Sequence, residues 1–264
     1  MVNSCVKEIA EVMSKHKRIV VLTGAGISSA SGVPVYSEGG VRRLWNGEKH
    51  HDIYNSDTPL NDEKFIAYTR EFQDIIAKCK PNVCHDIVRS WIDNGIVSKV
   101  LTQNVDGYHG RKGVIELHGN IHQMYCSECG KKISYKYYDK SHRCNAIEFS
   151  FGKGGYHQCK GYIRPDVTLF GENTRHLDAA MLEIYLADLV LVLGTSLSVS
   201  PVNLLPAMAK KNGATVVVIN RDPITSLPEE YIDYAMYGED LVSALQDIDY
   251  HLQCPVTKNG KSEC

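Results

Sequence analysis

Long apolar runs are missing from this 264-residue chain. None reaches the roughly 18–20 residues that a membrane-spanning helix needs, so no bilayer is expected as its solvent or partner. An excess of one charge is missing too. The 29 basic side chains stand against 31 acidic ones, and that balance leaves no nucleic-acid footprint in the totals. Internal repeats and low-complexity tracts are absent, which sets aside repeat architectures and disordered polar tracts. The first 18 residues lack the apolar stretch of a secretory signal, because Lys7, Glu8, Glu11, Lys15 and Lys17 interrupt it. There Val6, Ile9, Ala10 and Met13 fall at helical spacing, which predicts an amphipathic surface helix. An even disulfide framework is also lacking. The nine cysteines are odd in number, and a chain of this size folds without crosslinks. A reducing compartment with some cysteines on metal is the expectation, hence a soluble cytoplasmic protein, or a nuclear one in a eukaryotic cell.

What is present is a globular composition, 43% hydrophobic and 23% charged, enough to bury a sizeable core. Short β-branched runs at 18–23, 98–102, 187–194 and 214–220 read as buried parallel strands. Helical stretches lie between them, for example 82–94 and 177–186. Strands alternating with helices predict an α/β fold whose parallel sheet is covered on both faces. Ligands of such sheets sit at the carboxyl ends of the strands. Gly24-Ala25-Gly26, Gln103-Asn104, Gly194-Thr195-Ser196 and Asn220 all fall at or just after a strand end. Residues 39–80 (polar, then helical) and 121–162 (rich in Cys, Lys, Tyr and Gly) break the alternation and read as insertions forming a smaller lobe.

After the first strand, Gly24 and Gly26 let the backbone approach a phosphate, with a following helix N-terminus and the hydroxyls of Ser28, Ser29 and Ser31 as donors. A plain tight turn explains the glycines equally well. Ser29 stands where the dinucleotide fingerprint wants its third glycine, and no strand-end acid follows about 20 residues on. Cys126 and Cys129 have knuckle spacing, and Cys144 and Cys159 each follow after 14 intervening residues. One structural four-cysteine zinc site is the economical assignment, with His142 and His157 as substitute ligands. Four protein ligands would leave no open position on the metal. His118, one of eleven histidines, suits a general base near neutral pH, though a lone loop histidine is more often structural. Its neighbours Gln103, Asn104 and Asp106 suit a ribose, a carboxamide or a water; Asp106 suits a turn cap equally.

Taken in order, these motifs resemble the sirtuins, the NAD-dependent protein deacylases, over about residues 7–250. The likeness rests on Gly24-Ala25-Gly26-Ile27-Ser28 with Ser31-Gly32-Val33-Pro34, Thr102-Gln103-Asn104-Val105-Asp106-Gly107 and Leu117-His118-Gly119-Asn120. It continues in Arg164-Pro165-Asp166-Val167, Phe170-Gly171-Glu172, Gly194-Thr195-Ser196 and Asn220. The resemblance implies a Rossmann-like doubly wound parallel sheet (1–38, 81–120 and 163–250). It implies an inserted smaller lobe, helical at 39–80 and a zinc ribbon at 121–162, and a polar tail at 251–264. NAD and an acyl-lysine peptide would meet in the cleft between them. By position, His118 is implied as the base. Asn104 and Asp106 would handle the nicotinamide ribose and carboxamide, and Gln103 a ribose. Ala25, Gly26 and Ser196 would cradle the phosphates, and Gly24, Ser28, Gly194 and Thr195 would also bind the cofactor. Tyr36 would replace the family's aromatic, Asn220 would touch the adenosine ribose, and Glu239 and Asp240 would lie near the adenine. Val167, Phe170, Gly171 and Glu172 would line the peptide groove. The implied products are free lysine, nicotinamide and O-acyl-ADP-ribose. One departure stands out: Val35-Tyr36-Ser37 replaces the family's Asp-Phe-Arg and removes a cation near the pyrophosphate. It keeps an ADP-ribosyltransferase or NAD hydrolase on the same fold as the alternative.

Overall fold

The computed structural model describes residues 4–34, 50–134, 143–150, 152 and 154–253. Its strands are β1 (Ile19–Thr23), β2 (Val97–Thr102), β3 (Val114–Glu116), β4 (Gly119–Cys126), β5 (Lys132–Ser134), β6 (Ile147–Ser150), β7 (Gly155–Gln158), β8 (Ile163–Val167), β9 (Leu189–Leu193), β10 (Thr215–Asn220) and β11 (Tyr234–Tyr237). Its α-helices are α1 (Val6–Ser14), α2 (His50–Ile53), α3 (Glu63–Lys78), α4 (Val83–Asp93), α5 (Leu177–Leu186), α6 (Leu205–Lys211) and α7 (Leu241–Gln253).

Every residue of β1 is buried, because the strand is covered on both faces. Ile19 and Val21 pack with Met13, Trp91 and Leu245, whereas Val20 and Leu22 pack with Ile184, Leu205 and Val218. Thus α1, α4 and α7 cover one face, and α5 and α6 the other. A strand buried on both sides shows a continuous apolar run in place of alternation. The large sheet runs β11-β10-β9-β1-β2-β3, and every neighbouring pair is parallel. Renumbered within the sheet, the order is 3-2-1-4-5-6, the doubly wound Rossmann arrangement. Its winding reverses between β1 and β9, and the crevice at the carboxyl ends of those two strands is where such folds take ligands.

Between β3 and α5 the chain builds the smaller elements. An antiparallel sheet runs β5-β4-β8, and β6 and β7 form a separate hairpin. β4 crosses the expected 120/121 boundary, and β8, expected with the large domain, pairs with β4. α3 is capped by Asp62, whose side chain accepts from the N–H groups of Lys64 and Phe65. Its Phe65, Tyr68 and Ile76 pack with Ile121 of β4, Val167 and Leu169 in a third core. At the C-terminal end, α7 runs to Gln253. His251 to Gln253, expected in a frayed tail, therefore continue a helix whose Leu245 and Ile248 are buried; the remainder of that tail lies outside the described residues. Among the described residues no helix is long and apolar enough to cross a membrane.

Candidate active site

A cavity of about 470 Å³ opens at the carboxyl ends of the parallel strands. The loop after β1 contributes Gly24, Ala25, Gly26 and Ser28, and the loop after β2 contributes Gln103, Asn104 and Asp106. His118 follows β3; Val167, Phe170, Gly171 and Glu172 come from the end of β8 and the loop after it. Gly194, Thr195 and Ser196 follow β9, Asn220 ends β10, and Glu239 and Asp240 follow β11. The expected ligand-facing residues thus share one cavity, except Ser31, which does not line it, and Tyr36, which, like Ser37, lies outside the described residues.

The glycines answer first to each other. A Cβ on Gly24 would lie 2.5 Å from Thr195 Cβ, and one on Gly26 2.7 Å from the Gly194 oxygen. β1 and β9 end level, with Thr23 opposite Leu193, so their loops press together, and the Gly26 N–H donates to the Gly194 carbonyl at 2.7 Å. The helix that follows is a 3₁₀ helix, Ala25–Ser31. This narrows the donors the loop can offer a ligand, since two of its three serine hydroxyls already donate within the chain. The Gly26 N–H is engaged. Ser28 and Ser29 donate their hydroxyls to Asp106 and to the Gly26 oxygen, and Ser31 accepts from Asn82.

Ser28 is instead a buried hub. Its Oγ donates to Asp106 Oδ2 at 2.7 Å and accepts from Asn104 Nδ2 at 3.1 Å. Asn104 Nδ2 gives its second hydrogen to the Gly24 oxygen, 3.1 Å away. Both hydrogens of the amide are thus committed, which turns its Oδ1 into the group left to accept. Asp106 Oδ1 accepts the Tyr108 N–H at 3.0 Å, so this acid also caps its own turn. Gln103 Nε2 donates to Thr195 Oγ1 at 2.9 Å and ties the β2 loop to the β9 loop. On the far side, the Asn220 amide donates to the Asp222 oxygen, and Asp240 Oδ2 accepts from Ser243 N at 3.0 Å, at the start of α7.

His118 stands where the chain passes from the large sheet to the small one. The Leu117 N–H donates to the Thr102 oxygen of β2, and the His118 oxygen accepts the Thr168 N–H beyond β8. Gly119 follows at φ +84°, and a Cβ there would lie 2.1 Å from the Asp166 oxygen, so the crossing is confined to glycine. The ring Nδ1 lies 2.9 Å from the Gln103 carbonyl oxygen. A carbonyl only accepts, so Nδ1 carries the proton and Nε2 keeps its lone pair. Burial pulls the imidazole below the usual histidine range, outweighing the opposing effect of the carbonyl. The ring is therefore neutral at pH 7.

The opposite wall is a short backbone edge. Phe170 donates its N–H to the Tyr54 oxygen, and its own oxygen accepts from Ser56. Glu172 accepts from Arg164 at 2.5 and 3.0 Å and from the Leu169 N–H at 2.9 Å. Burial alone would raise this carboxyl, but the Arg164 bonds and the Leu169 N–H outweigh it and hold it below the ordinary range. Glu172 thus fixes the loop that carries Phe170.

Away from the cavity, Cys126, Cys129, Cys144 and Cys159 bring their sulfurs within 4.8 Å of one another. Cys126 to Cys159 is 3.6 Å and Cys129 to Cys144 is 3.7 Å. Tetrahedral zinc with Zn–S of about 2.3 Å spaces its sulfurs about 3.8 Å apart, so four thiolates in this arrangement suit the ion. The backbone N–H groups of Glu128, Ala146 and Gly161 each donate to a cysteine sulfur. The β6–β7 hairpin splits the second knuckle and returns Cys159 to Cys144, the Cys159 N–H donating to the Ala146 oxygen. His157 is outside the cluster, and His142 is outside the described residues.

A model of the Sir2 family matches residues 24–201. The chain belongs to the Sir2 family. An NAD-dependent protein deacetylase of Oceanobacillus iheyensis is 34% identical over 247 residues, spanning 91% of this chain and 98% of that protein. The crystal structure of a Sir2 homologue–NAD complex superposes with a TM-score of 0.80 at 26% identity, covering 95% of both chains. A Sir2–p53 peptide–NAD+ complex superposes at 0.70 with 28% identity, over 94% of this chain and 98% of that one.

Within this Sir2 fold the structure adds residues that no motif flagged. His85 accepts the Asn82 N–H at Nδ1, 3.2 Å, and its Nε2 lies 3.3 Å from the Ser28 hydroxyl. His109 Nε2 lies 3.0 Å from Thr23 Oγ1 at the end of β1. The two rings sit 5.0 Å apart. Burial, then the neighbouring His85 and Arg89, pushes His109 down to about 3. Burial lowers His85 against the opposing pull of Asp106. The one sequence clue is Asn82, a helix N-cap three residues before His85. Val33, Tyr54, Tyr68, Phe72 and Ile76 give the cavity an apolar side.

Proposed function

We propose that this Sir2 chain is an NAD-dependent protein-lysine deacylase that releases nicotinamide and passes the acyl group to ADP-ribose. The observation that carries it is His118: a neutral imidazole with Nε2 unprotonated, on a cavity shared by the Gly24–Gly26 loop and the Phe170 edge. NAD supplies an electrophilic ribose carbon once nicotinamide departs. In this reading His118 takes a proton from a ribose hydroxyl. Asn104, with its amide hydrogens committed, turns its oxygen to the nicotinamide ribose, and Asp106 handles the carboxamide. Gln103 contacts a ribose, and Ala25, Gly26 and Ser196 hold the phosphates. Asn220 meets the adenosine ribose, with Glu239 and Asp240 near the adenine. An extended acyl-lysine peptide adds a strand along Val167–Glu172 and delivers its acyl oxygen in reach of the ribose. The four cysteines hold one structural zinc. The seven described cysteines are all free, which supports the cytoplasm as the working compartment.

The test is nicotinamide release with and without an acetyl-lysine peptide, for wild type and His118→Ala. Peptide-dependent release that falls at least about 100-fold in the variant supports the reading. NAD consumption indifferent to peptide, or untouched by the substitution, overturns it. Ser37 in place of the family's arginine favours a second reading, ADP-ribosyl transfer or NAD hydrolysis. Its signature is ADP-ribose on protein or free in solution.

A further inference from the structure

On the basis of the deacylase reading above, we infer that His109 is a positioning residue for His118, acting through the peptide unit that joins Gln103 to Asn104. His109 does not line the cavity. β1 and β2 each end on a threonine, Thr23 opposite Thr102. Both are buried, and so is His109, at 4% exposure. Valine would fill the same space with no polar group, and a buried hydroxyl costs free energy unless it is hydrogen-bonded. Here the two hydroxyls and the imidazole bond to one another. Thr23 Oγ1 donates to Thr102 Oγ1 at 2.9 Å. A hydroxyl has a single hydrogen, so Thr23 can only accept from His109 Nε2, 3.0 Å away. Nε2 of His109 therefore carries its proton, and the donors run one way, from His109 to Thr23 to Thr102.

The relay ends at the site. Thr102 Oγ1 also accepts the Asn104 N–H, at 3.1 Å, so both its lone pairs are filled. That N–H and the Gln103 carbonyl are the two ends of one planar peptide unit. The Gln103 oxygen is the atom 2.9 Å from His118 Nδ1. A rigid plane does not turn at one end alone, so holding the N–H on Thr102 aims the carbonyl at the imidazole. The preceding peptide unit is pinned separately, by the Gln103 N–H on the Thr23 oxygen at 3.0 Å. Without the His109 donor a lone pair of Thr23 is vacant. Thr102 can then reverse its hydroxyl towards Thr23, and the Asn104 N–H loses a fixed acceptor. The carbonyl no longer holds the proton on His118 Nδ1, and the ring can carry it on Nε2, the nitrogen that a base needs bare.

Steady-state nicotinamide release with NAD and an acetyl-lysine peptide, together with heteronuclear NMR of the imidazole nitrogens, tests this. His109→Leu and Thr102→Val should each lower kcat about tenfold, part of the roughly 100-fold or more that a general base supplies, with KM for NAD and for peptide unchanged. The double variant should be no slower than the slower single one, because both break one relay. His109→Gln, which keeps a donor nitrogen for Thr23, should restore kcat. In wild type the His118 signals should show Nδ1 protonated and Nε2 bare, and in His109→Leu they should show both tautomers. The tautomer is read without turnover, so it is separate from the deacylase reading, which fails if wild type releases no nicotinamide with peptide. Thermal midpoints show which variants are folded, and Thr102→Val, close to isosteric, carries the test if His109→Leu does not fold. Folded variants with wild-type kcat, single effects that multiply in the double variant, or a His109→Gln as slow as His109→Leu overturn the proposal, as does an unchanged His118 tautomer.

Discussion

The carbonyl of Gln103 decides which nitrogen of His118 is free, and burial decides that the ring is neutral. Because its proton affinity is lowered, the base form persists below the ordinary histidine pKa of about 6.5. The acid limb of kcat/KM is therefore expected below pH 6.5, and a limb above that value would contradict the geometry. His109 carries a second prediction. Its folded pKa lies near 3, so below about pH 6.5 the unfolded chain binds a proton that the folded chain refuses. Stability is then lost as pH falls, by about 2 kcal/mol between pH 6.5 and 5 from this residue alone. Urea unfolding at those two pH values should show a shallower loss in His109→Gln than in wild type. His118, Asn104 and Asp106 were legible at this scale because they sit in short motifs at strand ends. The direction of the Ser28 hydroxyl was not, since it depends on Asp106, 78 residues away.

At the scale of elements, the small sheet depends on glycine and sulfur more than on aliphatic packing. Its core contains Met124, Ile163 and Ala146 around three buried cysteines. One zinc per chain is expected by elemental analysis, and chelation should lower the thermal midpoint while releasing that zinc. A metal-free protein of undiminished stability would contradict the assignment. Gly161 sharpens the point, because a Cβ there would lie 2.5 Å from Cys126 Sγ. Gly161→Ala should cost about 1–3 kcal/mol, and its zinc should be lost at lower chelator concentration. The spacing 126, 129, 144, 159 was enough to propose this site. The strand β8 was not legible, for a physical reason. It carries Arg164, Pro165 and Asp166 in a buried run, a pattern tolerated because Arg164 pairs with Glu172 and Asp166 with Arg175. Its place at the edge of the small sheet accommodates the proline. β3 was missed because it is three residues long and half-exposed.

At the scale of the whole molecule, the architecture follows from a few runs of β-branched residues. β1, β2, β9 and β10 were readable because burial on both faces strips them of polar residues. Their order across the sheet was not readable from periodicity, and it is the order that makes the site. The winding reverses between β1 and β9, and there the two glycine loops meet and the cavity opens. The segment proposed to take the peptide follows the insertion and re-enters beside His118, whose oxygen accepts the Thr168 N–H. The glycine loops, His118 and the Val167–Glu172 segment therefore line one cavity, and the proposed acyl transfer from lysine to ADP-ribose uses that arrangement. Mass spectrometry of the products formed from NAD and a panel of acyl-lysine peptides tests that claim most directly. Wild type should give deacylated peptide, nicotinamide and O-acyl-ADP-ribose in equal amounts, and His118→Ala none of the three above about 1% of that yield. Free ADP-ribose or ADP-ribosylated peptide, with the acyl group still on its lysine, would contradict it.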